Sequence, residues 1–390
     1  MRNFVSERVK GIKPSGIRKF FDLCQGTKGI VSLGVGEPDF ITPWQIREAG
    51  IRSLKSGKTQ YTSNKGLSEL RGEISSYLKS RFLVDYDKEE IIVTVGASEA
   101  IDIALRSVID YGDEVLIPEP CYVAYEPIVR ICGGVPVPVR CYSESGFKLL
   151  PSEIEKKITS KTKILIFPYP NNPTGGIMER GDIEKIIPTI LKHDLLVVSD
   201  EIYAELTYGD RHVSIAEYEK MRDNVVLVSG FSKAFAMTGW RIGYVCAHSP
   251  ILEAMLKIHQ YVIMCAPSVS QYAVLEGLRC CEEEDFSIVK DMKEEYDRRR
   301  KFMISTFNDM GLECFEAKGA FYVFPSVKST GLDGEEFAKR LLEEKKVAVV
   351  PGNAFGEMGK DFIRCSYAYS MKDLITATDK IREFINELKR

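Results

Sequence analysis

The stretch "SGFSKAFAMTGWRIGY", residues 229–244, places a lysine, Lys233, shortly after an apolar segment. That segment, "NVVLVSG" at residues 224–230, is rich in β-branched residues and ends on glycine, a pattern that predicts a buried strand. Lys233 would then lie at the tip of this strand, which is not the position of a typical surface lysine. The alternative is a loop lysine followed by an unrelated arginine, Arg241, and the rest of the chain decides between the two.

Similar apolar runs recur along the chain and predict an α/β domain. They are "IIVTV" (91–95), "EVLIP" (114–118), "VPVPV" (135–139), "KILIF" (163–167), "LLVVS" (195–199), "NVVLVS" (224–229) and "IGYVCA" (242–247). Segments that suit helices or crossovers lie between the first five runs, which indicates a mostly parallel, seven-stranded sheet covered on both faces. Ser152 and Glu155, which follow Pro151, predict a capping box at one helix start.

The pattern changes after residue 284, where we expect a smaller α+β unit. A long amphipathic helix is followed by short strands and a final helix. Within the long helix, the arginines at 298–300 follow Glu294 and Glu295. This spacing pairs Glu294 with Arg298 and Glu295 with Arg299, and it predicts a solvated helix face rather than a basic binding patch.

The composition argues against several classes of function. A net charge of −3 gives no electrostatic reason to expect nucleic acid or an anionic membrane. No segment approaches the roughly 18 apolar residues of a membrane span, and no signal peptide is evident, so we predict a cytoplasmic protein. The ten cysteines lack paired spacing and are expected to be reduced, and the four histidines form no metal-binding motif. We therefore predict no metal and a small-molecule partner.

Polar residues able to hold a charged ligand follow the predicted strands. In an open parallel sheet, ligands bind beyond the carboxyl ends of the strands. These positions are occupied by Ala97 and Ser98 at a helix start, Tyr122, Asn172, Asp200, Tyr203, Ser232, Lys233 and, farther along, Arg241. Taken singly, each has a structural alternative, such as a helix cap for Asp200 or a turn for Asn172. Taken together, they match what a bound pyridoxal phosphate requires.

The chemistry of this cofactor accounts for each residue type. A lysine amine holds the aldehyde as a Schiff base, and a carboxylate keeps the pyridine nitrogen protonated so that the ring accepts electrons. Cations and the amides of a helix start bind the phosphate, and an aromatic side chain packs on the ring. A released lysine is also able to carry a proton between the substrate Cα and the cofactor.

The stretch "SGFSKAFAMTGWRIG" resembles the pyridoxal-phosphate attachment signature of class I aminotransferases at every constrained position. The resemblance extends over almost the whole chain, through "PSGIRKF" (14–20), "SLGVGEPDFITP" (32–43), "YTSNKGLSELR" (61–71), "VTVGASEA" (93–100), "NNPTG" (171–175), "SDEIY" (199–203), "GAFYVFP" (319–325), "VAVVPGNAFG" (347–356) and "FIRCSYA" (362–368). Together with "FIRCSYA", the stretch "MLKIHQYVIMCAPSVSQ" (255–271) is most similar to bacterial aminotransferases of the aromatic and N-acetyl-diaminopimelate type.

The resemblance implies a role for each residue around the cofactor ring. Lys233 would form the Schiff base, and Asp200 would pair with the pyridine nitrogen. Tyr203 and Asn172 would hydrogen-bond the ring hydroxyl. Tyr122 would stack on the ring face, where many relatives carry tryptophan or phenylalanine.

The resemblance also implies how the phosphate and the substrate are held. The phosphate ligands from the same chain would be Ala97, Ser98, Ser232 and Arg241. Tyr61 would reach the phosphate from a second subunit. Arg364 would bind the α-carboxylate of the substrate, with help from Asn172 and the backbone of Gly36.

The expected protein is a fold-type I aminotransferase that acts as a homodimer. The resemblance implies an N-terminal segment (1–45) of the small domain, a large cofactor-binding domain (46–285) and the remainder of the small domain (286–390). An L-amino acid, aromatic or N-acyl-diaminopimelate-like within a broad range, would leave its nitrogen on the cofactor. A 2-oxo acid, with 2-oxoglutarate expected, would then collect it.

Several alternatives remain open at the level of sequence. A lyase of the same fold would use nearly the same cofactor residues, and an aspartate-specific aminotransferase would differ only in its side-chain pocket. The region 255–271 contains no arginine to grip a side-chain carboxylate. His259, Gln260 and Tyr261 either supply hydrogen bonds there or pack within a helix. A nicotinamide enzyme lacks support, because Gly34 and Gly36 are followed by Pro38 rather than by a third glycine.

Overall fold

The computed structural model describes residues 4–12, 14 and 29–389. The described chain begins with a short helix, α1 (Glu7–Lys10), and a short strand, β1 (Val31–Ser32). Most of the motif at residues 14–20, and Cys24, lie outside the described residues. Part of the predicted N-terminal segment therefore has no structural description.

A central sheet of seven strands organises the larger part of the structure. Its strands are β2 (Ile91–Thr94), β3 (Glu114–Glu119), β4 (Val135–Arg140), β5 (Thr162–Phe167), β6 (Leu196–Asp200), β7 (Val225–Gly230) and β8 (Gly243–Ala247), in the spatial order β2-β8-β7-β6-β5-β3-β4. β8 is antiparallel to both of its neighbours, and all other neighbouring pairs are parallel. The predicted seven-stranded, mostly parallel sheet is confirmed.

Helices cover this sheet. They are α2 (Trp44–Lys55), α3 (Ser68–Phe82), α4 (Gly96–Val108), α5 (Tyr125–Cys132), α6 (Pro151–Glu155), α7 (Arg180–Lys192), α8 (Ser249–Val262) and α9 (Ser268–Glu283). All six residues of β7 are buried, as expected for a strand with both faces covered. Leu227 belongs to one apolar core, whereas Val226 and Val228 belong to another. Side chains thus alternate between two cores, one on each face.

The smaller part of the structure is built on two small sheets. Strands β9 (Tyr322–Val323), β11 (Val350–Pro351) and β12 (Ile363–Ser366) form an antiparallel sheet, and β10 (Val347–Ala348) pairs in parallel with β1. The helices of this part are α10 (Ser287–Asp309), α11 (Gly334–Lys345) and α12 (Met371–Leu388). Leu33, next to β1, belongs to the same apolar core as residues of all three helices. The N-terminal segment therefore packs with the C-terminal part, although the exact domain boundaries stay a prediction.

The arginine triplet of α10 is not the solvated face that the sequence predicts. Arg299 and Arg300 are only 6% and 5% exposed. Arg299 donates to Asp39 at 2.8 Å and to Glu295 at 2.8 Å, while Arg298 also pairs with Glu295 rather than with a residue four positions earlier. Helix spacing alone could not reveal Asp39, which lies 260 residues away in the chain. An ion pair between the buried Arg299 and the partly exposed Asp39 thus ties the N-terminal segment to α10.

The capping box predicted at residues 152–155 is also wrong. Helix α6 begins at Pro151, so Ser152 already lies inside the first turn and its position is not that of a cap. Leu150 occupies the cap position and makes no side-chain cap. Proline sets the helix start because its fixed φ suits the first helical position, where the missing N–H costs nothing.

Three further observations bear on the functional classes considered. No helix within residues 4–12, 14 and 29–389 is long and apolar enough to cross a membrane. The nine described cysteines are all free thiols. Among the same described residues, no group of three or more His, Cys, Asp or Glu side chains is placed to hold a metal ion.

Candidate active site

A cavity of about 440 Å³ lies at the carboxyl ends of the parallel strands. It is lined by eleven of the twelve residues predicted for the site: Gly36, Ala97, Ser98, Tyr122, Asn172, Asp200, Tyr203, Ser232, Lys233, Arg241 and Arg364. The twelfth, Tyr61, does not line the cavity and is 80% exposed. Sequence reasoning therefore located the cavity, and it left one predicted residue outside it.

The cavity has two walls of different origin. Residues that follow strands or begin a helix form the first, here called the sheet wall: Ala97, Ser98, Asn172, Asp200, Ser232 and Lys233. Residues from the N-terminal segment and the small sheets form the second, here called the arginine wall: Val35, Gly36, Glu37, Tyr322 and Arg364. The hydrogen bond between Arg364 and Gly34 joins residues 330 positions apart. The site is thus complete only when both parts of the chain have folded together.

Two adjacent carboxylates at the end of β6 have opposite surroundings. Asp200 lines the cavity. Glu201 does not; instead, it accepts hydrogen bonds from Ser199 at 2.8 Å and Ser214 at 2.7 Å, and it pairs with His212 at 2.8 Å. Successive side chains of an extended chain point to opposite faces, which explains the separation. Only Asp200 is available to a ligand in the cavity.

Asp200 is buried without a strong cationic partner. It is 6% exposed, and its Oδ2 accepts a hydrogen bond of 2.7 Å from the Tyr125 hydroxyl. Its Oδ1 accepts the backbone N–H of Ile202 at 3.2 Å. Burial raises the pKa of Asp200 to about 6, against the smaller opposing effects of these two hydrogen bonds and of Lys233. A cationic group in the cavity would favour the ionised carboxylate.

Lys233 joins the sheet wall to the N-terminal segment through a hydrogen bond. Its Nζ donates to the backbone oxygen of Gly36 at 2.7 Å. Burial, helped by the positive charges of Arg364 and Arg241, lowers the pKa of Lys233 to about 8 against the opposing effects of Glu37 and Asp200. A neutral, nucleophilic amine is therefore accessible near physiological pH.

Arg364 is the most firmly held charge of the arginine wall. It is 2% exposed, it donates to Asn172 Oδ1 at 2.9 Å, and it also donates to the backbone oxygen of Gly34. Its guanidinium lies 4.5 Å from the ring centroid of Tyr322 and 4.9 Å from that of Phe355. Its Nε has no acceptor among the described residues. A buried guanidinium with an unpaired N–H fits a carboxylate ligand.

Tyrosine hydroxyls complete the lining of the cavity. Tyr203 and Tyr322 share a hydrogen bond of 2.9 Å between their hydroxyl groups. Tyr122 packs edge-on against Tyr125, with ring centroids 5.7 Å apart. Burial raises the pKa of all four tyrosines, so each is a neutral phenol and a hydrogen-bond donor.

One end of the cavity suits a phosphate. Ala97 and Ser98 lie in the first turn of the 13-residue helix α4, where backbone N–H groups and the helix dipole attract anions. Arg241 has a left-handed backbone with φ of 50° and donates to the backbone oxygen of Thr238 at 2.8 Å. A Cβ atom on Gly96 would lie 2.7 Å from Arg241 Nη2, so the glycine leaves room for the guanidinium beside the helix start. Cation and helix start thus face the same space.

These features fit pyridoxal phosphate. The arrangement offers an amine for an aldehyde at Lys233, a carboxyl group for a pyridine nitrogen at Asp200 and an anion-binding helix start near Arg241. Asp200 in particular lacks the positive partner that a pyridinium would provide. The unpaired Nε of Arg364 suits a separate carboxylate.

Four polar residues that line the cavity were not predicted from the sequence as part of the site: Glu37, Tyr125, Thr238 and Tyr322. Tyr125 comes three residues after Tyr122, at the start of the helix that follows β3, and this position is a signal that could have identified it. Tyr322 lies within the quoted motif "GAFYVFP". Glu37 accepts a hydrogen bond from Thr238. That pairing across 201 residues leaves no local signal.

The residues considered for the side-chain pocket do not line this cavity. His259 is fully buried and hydrogen-bonds Glu99 at 2.6 Å, which agrees with the packing alternative. Tyr261 is 86% exposed. Within one chain, neither His259, Gln260 nor Tyr261 lies in position to contact a ligand in the cavity.

The fold and the site together define a pyridoxal-phosphate-dependent enzyme of fold type I. Residues 28–381 match the family described as aminotransferase class I and II. The chain belongs to this family. Its reaction is amino transfer between free amino acids and 2-oxo acids, and its cofactor is pyridoxal 5'-phosphate.

Individual proteins agree with this assignment. The aspartate aminotransferase of Pyrococcus abyssi is 44% identical over 387 residues, covering 99% of each chain. The aromatic-amino-acid aminotransferase 2 of Thermococcus litoralis is 42% identical, again covering 99% of each chain. The crystal structure of the aromatic aminotransferase from Pyrococcus horikoshii superimposes with a TM-score of 0.90 at 42% identity, covering 96% of this chain and 99% of that one. The predicted family is confirmed.

Proposed function

We propose that this aminotransferase takes nitrogen from a broad range of L-amino acids, with aromatic or N-acyl-diaminopimelate-like side chains favoured, and passes it to 2-oxoglutarate. The observation that carries the proposal is the set of cations in the cavity. Among the described residues, only Lys233, Arg241 and Arg364 supply positive charge to its lining, and Glu37 adds a negative one. Each cation has a task other than gripping a side-chain carboxylate, so neutral side chains are favoured in the amino donor, and the distal carboxylate of 2-oxoglutarate would be held by uncharged hydrogen-bond donors.

Arg364 is proposed to bind the α-carboxylate of every substrate. Its planar guanidinium is suited to two parallel charge-assisted hydrogen bonds. Asn172 holds one of its nitrogens, and the backbone oxygen of Gly34 holds another, so the group keeps its orientation while substrates exchange. The backbone of Gly36, next to Lys233 Nζ, completes the carboxylate site.

Lys233 is proposed to move the proton. When bound, pyridoxal phosphate accepts the electron pair left at the substrate Cα as that proton departs. A lysine whose pKa burial lowers to about 8 is neutral often enough near pH 7–8 to take up a proton and acidic enough to return it. Asp200 is proposed to hold a positive charge at the pyridine nitrogen, and Tyr203 with Asn172 to hydrogen-bond the ring hydroxyl.

The cofactor is proposed to be oriented by contacts at its ring face and its phosphate. Tyr122 packs on the ring face. The phosphate would be held by Ala97 and Ser98 in the first turn of α4, and by the side chains of Ser232 and Arg241, which line the same cavity. These groups keep the phosphate end fixed while the reacting end changes partners.

A homodimer is proposed to complete the site. Tyr61 is 80% exposed and lies outside the cavity of its own chain, which suits a role toward a second subunit. The segment that carries Tyr61 contacts the chain just after α8, where Asn64 donates to the Met264 oxygen, and the exposed Tyr261, Val262 and Met264 near that contact support an interface. We retain the domain boundaries at residues 45 and 285 and the cytoplasmic location as parts of the same proposal.

A half-reaction separates amino transfer from the lyase alternative. Protein mixed with an amino acid alone should yield pyridoxamine phosphate in a single stoichiometric step, because the nitrogen has no acceptor. Sustained release of ammonia or pyruvate would instead indicate a lyase. A panel of amino acids assayed with 2-oxoglutarate then tests the proposed donors and acceptor.

Mixed dimers test the role of Tyr61. Subunits carrying Tyr61→Phe should complement subunits carrying Lys233→Ala, because one of the two sites then receives an intact lysine and an intact tyrosine. Subunits that carry both Tyr61→Phe and Arg241→Ala should not complement Lys233→Ala, since no complete site can form. The measurement requires that Tyr61→Phe alone lowers activity; no complementation in verified mixed dimers would place the whole site within one chain.

A further inference from the structure

A buried histidine and a largely buried glutamate lie directly behind the helix start that faces the cavity. His259, on α8, has no solvent exposure, and its Nδ1–H donates to Glu99 Oε1 at 2.6 Å. The side chain of Glu99 is 10% exposed. The proposed reaction uses neither residue, and neither lines the cavity.

Glu99 also binds the backbone where α4 begins. Its Oε2 accepts a hydrogen bond from the backbone N–H of Val95, the N-cap residue of the helix. The Val95 side chain itself makes no capping hydrogen bond. One carboxylate therefore joins the cap residue to α8 through both of its oxygens. Ala97 and Ser98, which lie between Val95 and Glu99 in the same turn, are the residues that line the cavity.

We propose that the His259–Glu99 pair is a positioning device that keeps the first turn of α4 in the shape that binds the cofactor phosphate. This inference rests on the proposed function, in which that turn holds the phosphate. The physical reason is geometric: amide N–H groups bind an anion well only when they converge on it, and the carboxylate bridge restrains the backbone that carries them.

The surroundings of the pair explain why its partners depend on each other. A largely buried carboxylate that loses its hydrogen-bond donor is left uncompensated and is driven to turn toward water. That movement releases the N–H of Val95. His259 Nε2 has no hydrogen-bond partner among the described residues, so Nδ1 provides the only polar bond of the ring. The hydrogen bond to Glu99 is thus the one polar contact that the buried imidazole ring makes among the described residues.

The test compares two ligands of the full-length protein stripped of its cofactor. Pyridoxal phosphate and pyridoxal differ only in the phosphate. The dissociation constant of pyridoxal divided by that of pyridoxal phosphate, here called the ratio, therefore reports the contribution of the phosphate site. His259→Leu should weaken pyridoxal phosphate about tenfold or more, while pyridoxal changes less than about twofold. His259→Asn, which keeps an N–H donor, should stay close to the wild type. The matched control is His248→Leu. His248 is half-exposed and lies at the N-terminal cap of the helix that carries His259, and its replacement should change neither dissociation constant.

A second pair of variants keeps the proposal testable should His259→Leu fail to fold. Glu99→Gln retains an oxygen for the Val95 N–H and should preserve the ratio, whereas Glu99→Leu should lower it about as much as His259→Leu. The double variant Glu99→Gln with His259→Leu carries no buried charge, so it should recover most of the phosphate preference.

The outcomes separate this inference from the proposed function. Equal weakening of both ligands in His259→Leu, or no change in either, would overturn the positioning role. Arg241→Ala serves as the positive control, because it removes a proposed phosphate ligand directly. If Arg241→Ala reduces the ratio and His259→Leu does not, only the inference fails. If Arg241→Ala leaves the ratio unchanged, the proposed phosphate site is wrong, and the inference falls with it.

Discussion

The two walls of the cavity differ in how their charges are satisfied. On the sheet wall, burial moves the pKa of Asp200 up to about 6 and that of Lys233 down to about 8, so both groups lie in surroundings that oppose their charge. On the arginine wall, Arg364 is held by Asn172, the Gly34 carbonyl and flanking aromatic rings. The first wall is prepared for chemistry and the second for recognition. Substitutions on the sheet wall should therefore lower kcat, and those on the arginine wall should raise KM.

Removing the amine of the sheet wall should have the largest effect. Lys233→Ala should lower kcat about 10⁴-fold or more, because the variant loses both the nucleophile and the proton carrier. Steady-state rates at saturating amino acid and oxo acid measure this loss. Lys220→Ala, at an exposed lysine, should retain the wild-type rate, and thermal melting should show that both variants fold. Near-normal transamination by Lys233→Ala would refute the assignment.

The adjacent carboxylates at the end of β6 offer a matched comparison within the sheet wall. Asp200→Asn should lower kcat about 10³-fold, because the charge facing the cofactor is lost. Glu201→Gln makes the same isosteric change on the opposite face and should leave kcat nearly unchanged while lowering the melting temperature, since it weakens the bonds to Ser199, Ser214 and His212. Similar losses of kcat in both variants would mean that Asp200 acts only through the fold.

Asp200→Asn should stabilise the protein once the cofactor is removed. The pKa of Asp200 in the fold is about 6, against an ordinary value of 3.8, so the folded state holds the proton more tightly. Ionisation then costs stability as the pH rises from about 4 to 6, and the full penalty, about 3 kcal/mol at 1.36 kcal/mol per pH unit, is present above that range. Cofactor-free Asp200→Asn should exceed the wild type in denaturant unfolding at pH 7.5 and match it near pH 3.5. A pH-independent difference would contradict the burial penalty.

The sheet wall was predictable from the sequence because its residues carry local signals. Apolar runs marked the strands, and parallel strands bring their carboxyl ends to one edge, so the sequence alone sufficed to group Asp200, Asn172 and Lys233. The arginine wall gave no such signal. Arg364 and Gly36 were identified only through the family resemblance, since the contact that joins their segments spans 330 residues.

The error in the arginine triplet has the same origin. Polar contacts between distant segments, such as Arg299 with Asp39, are invisible to helix periodicity, which detects only neighbours three and four residues apart. Tyr125 was overlooked for a different reason. Its place at the start of the helix after β3 is a signal, but a tyrosine there suits a core position equally well, and the hydrogen bond to Asp200 decides between the two.

A substitution on the arginine wall should change binding more than turnover. Arg364→Leu should raise KM about 10–100-fold for every amino acid tested, because charge-assisted hydrogen bonds contribute about 1.5–3 kcal/mol. The reduction in kcat should be smaller than that caused by Asp200→Asn. Arg364→Lys should keep part of the affinity, since an ammonium preserves the charge but loses the planar fork. An increase in KM confined to amino acids with one class of side chain would indicate that Arg364 binds the substrate side chain rather than the α-carboxylate.

The smallest effect concerns selectivity between substrate side chains. This selectivity should follow from the absence of a further positive charge near the substrate side chain. No fourth cation lines the cavity among the described residues, and Glu37 places a carboxylate at its edge. Without a charged contact of about 1.5–3 kcal/mol, aspartate should not exceed phenylalanine, tyrosine or leucine in kcat/KM by more than about tenfold. Because Glu37 is exposed and its charge is screened, Glu37→Gln should raise kcat/KM for aspartate only about two- to threefold and leave phenylalanine unchanged. A strict preference for aspartate in the wild type would sink the broad-pocket proposal, and it would require a carboxylate-binding group supplied from outside the cavity of a single chain.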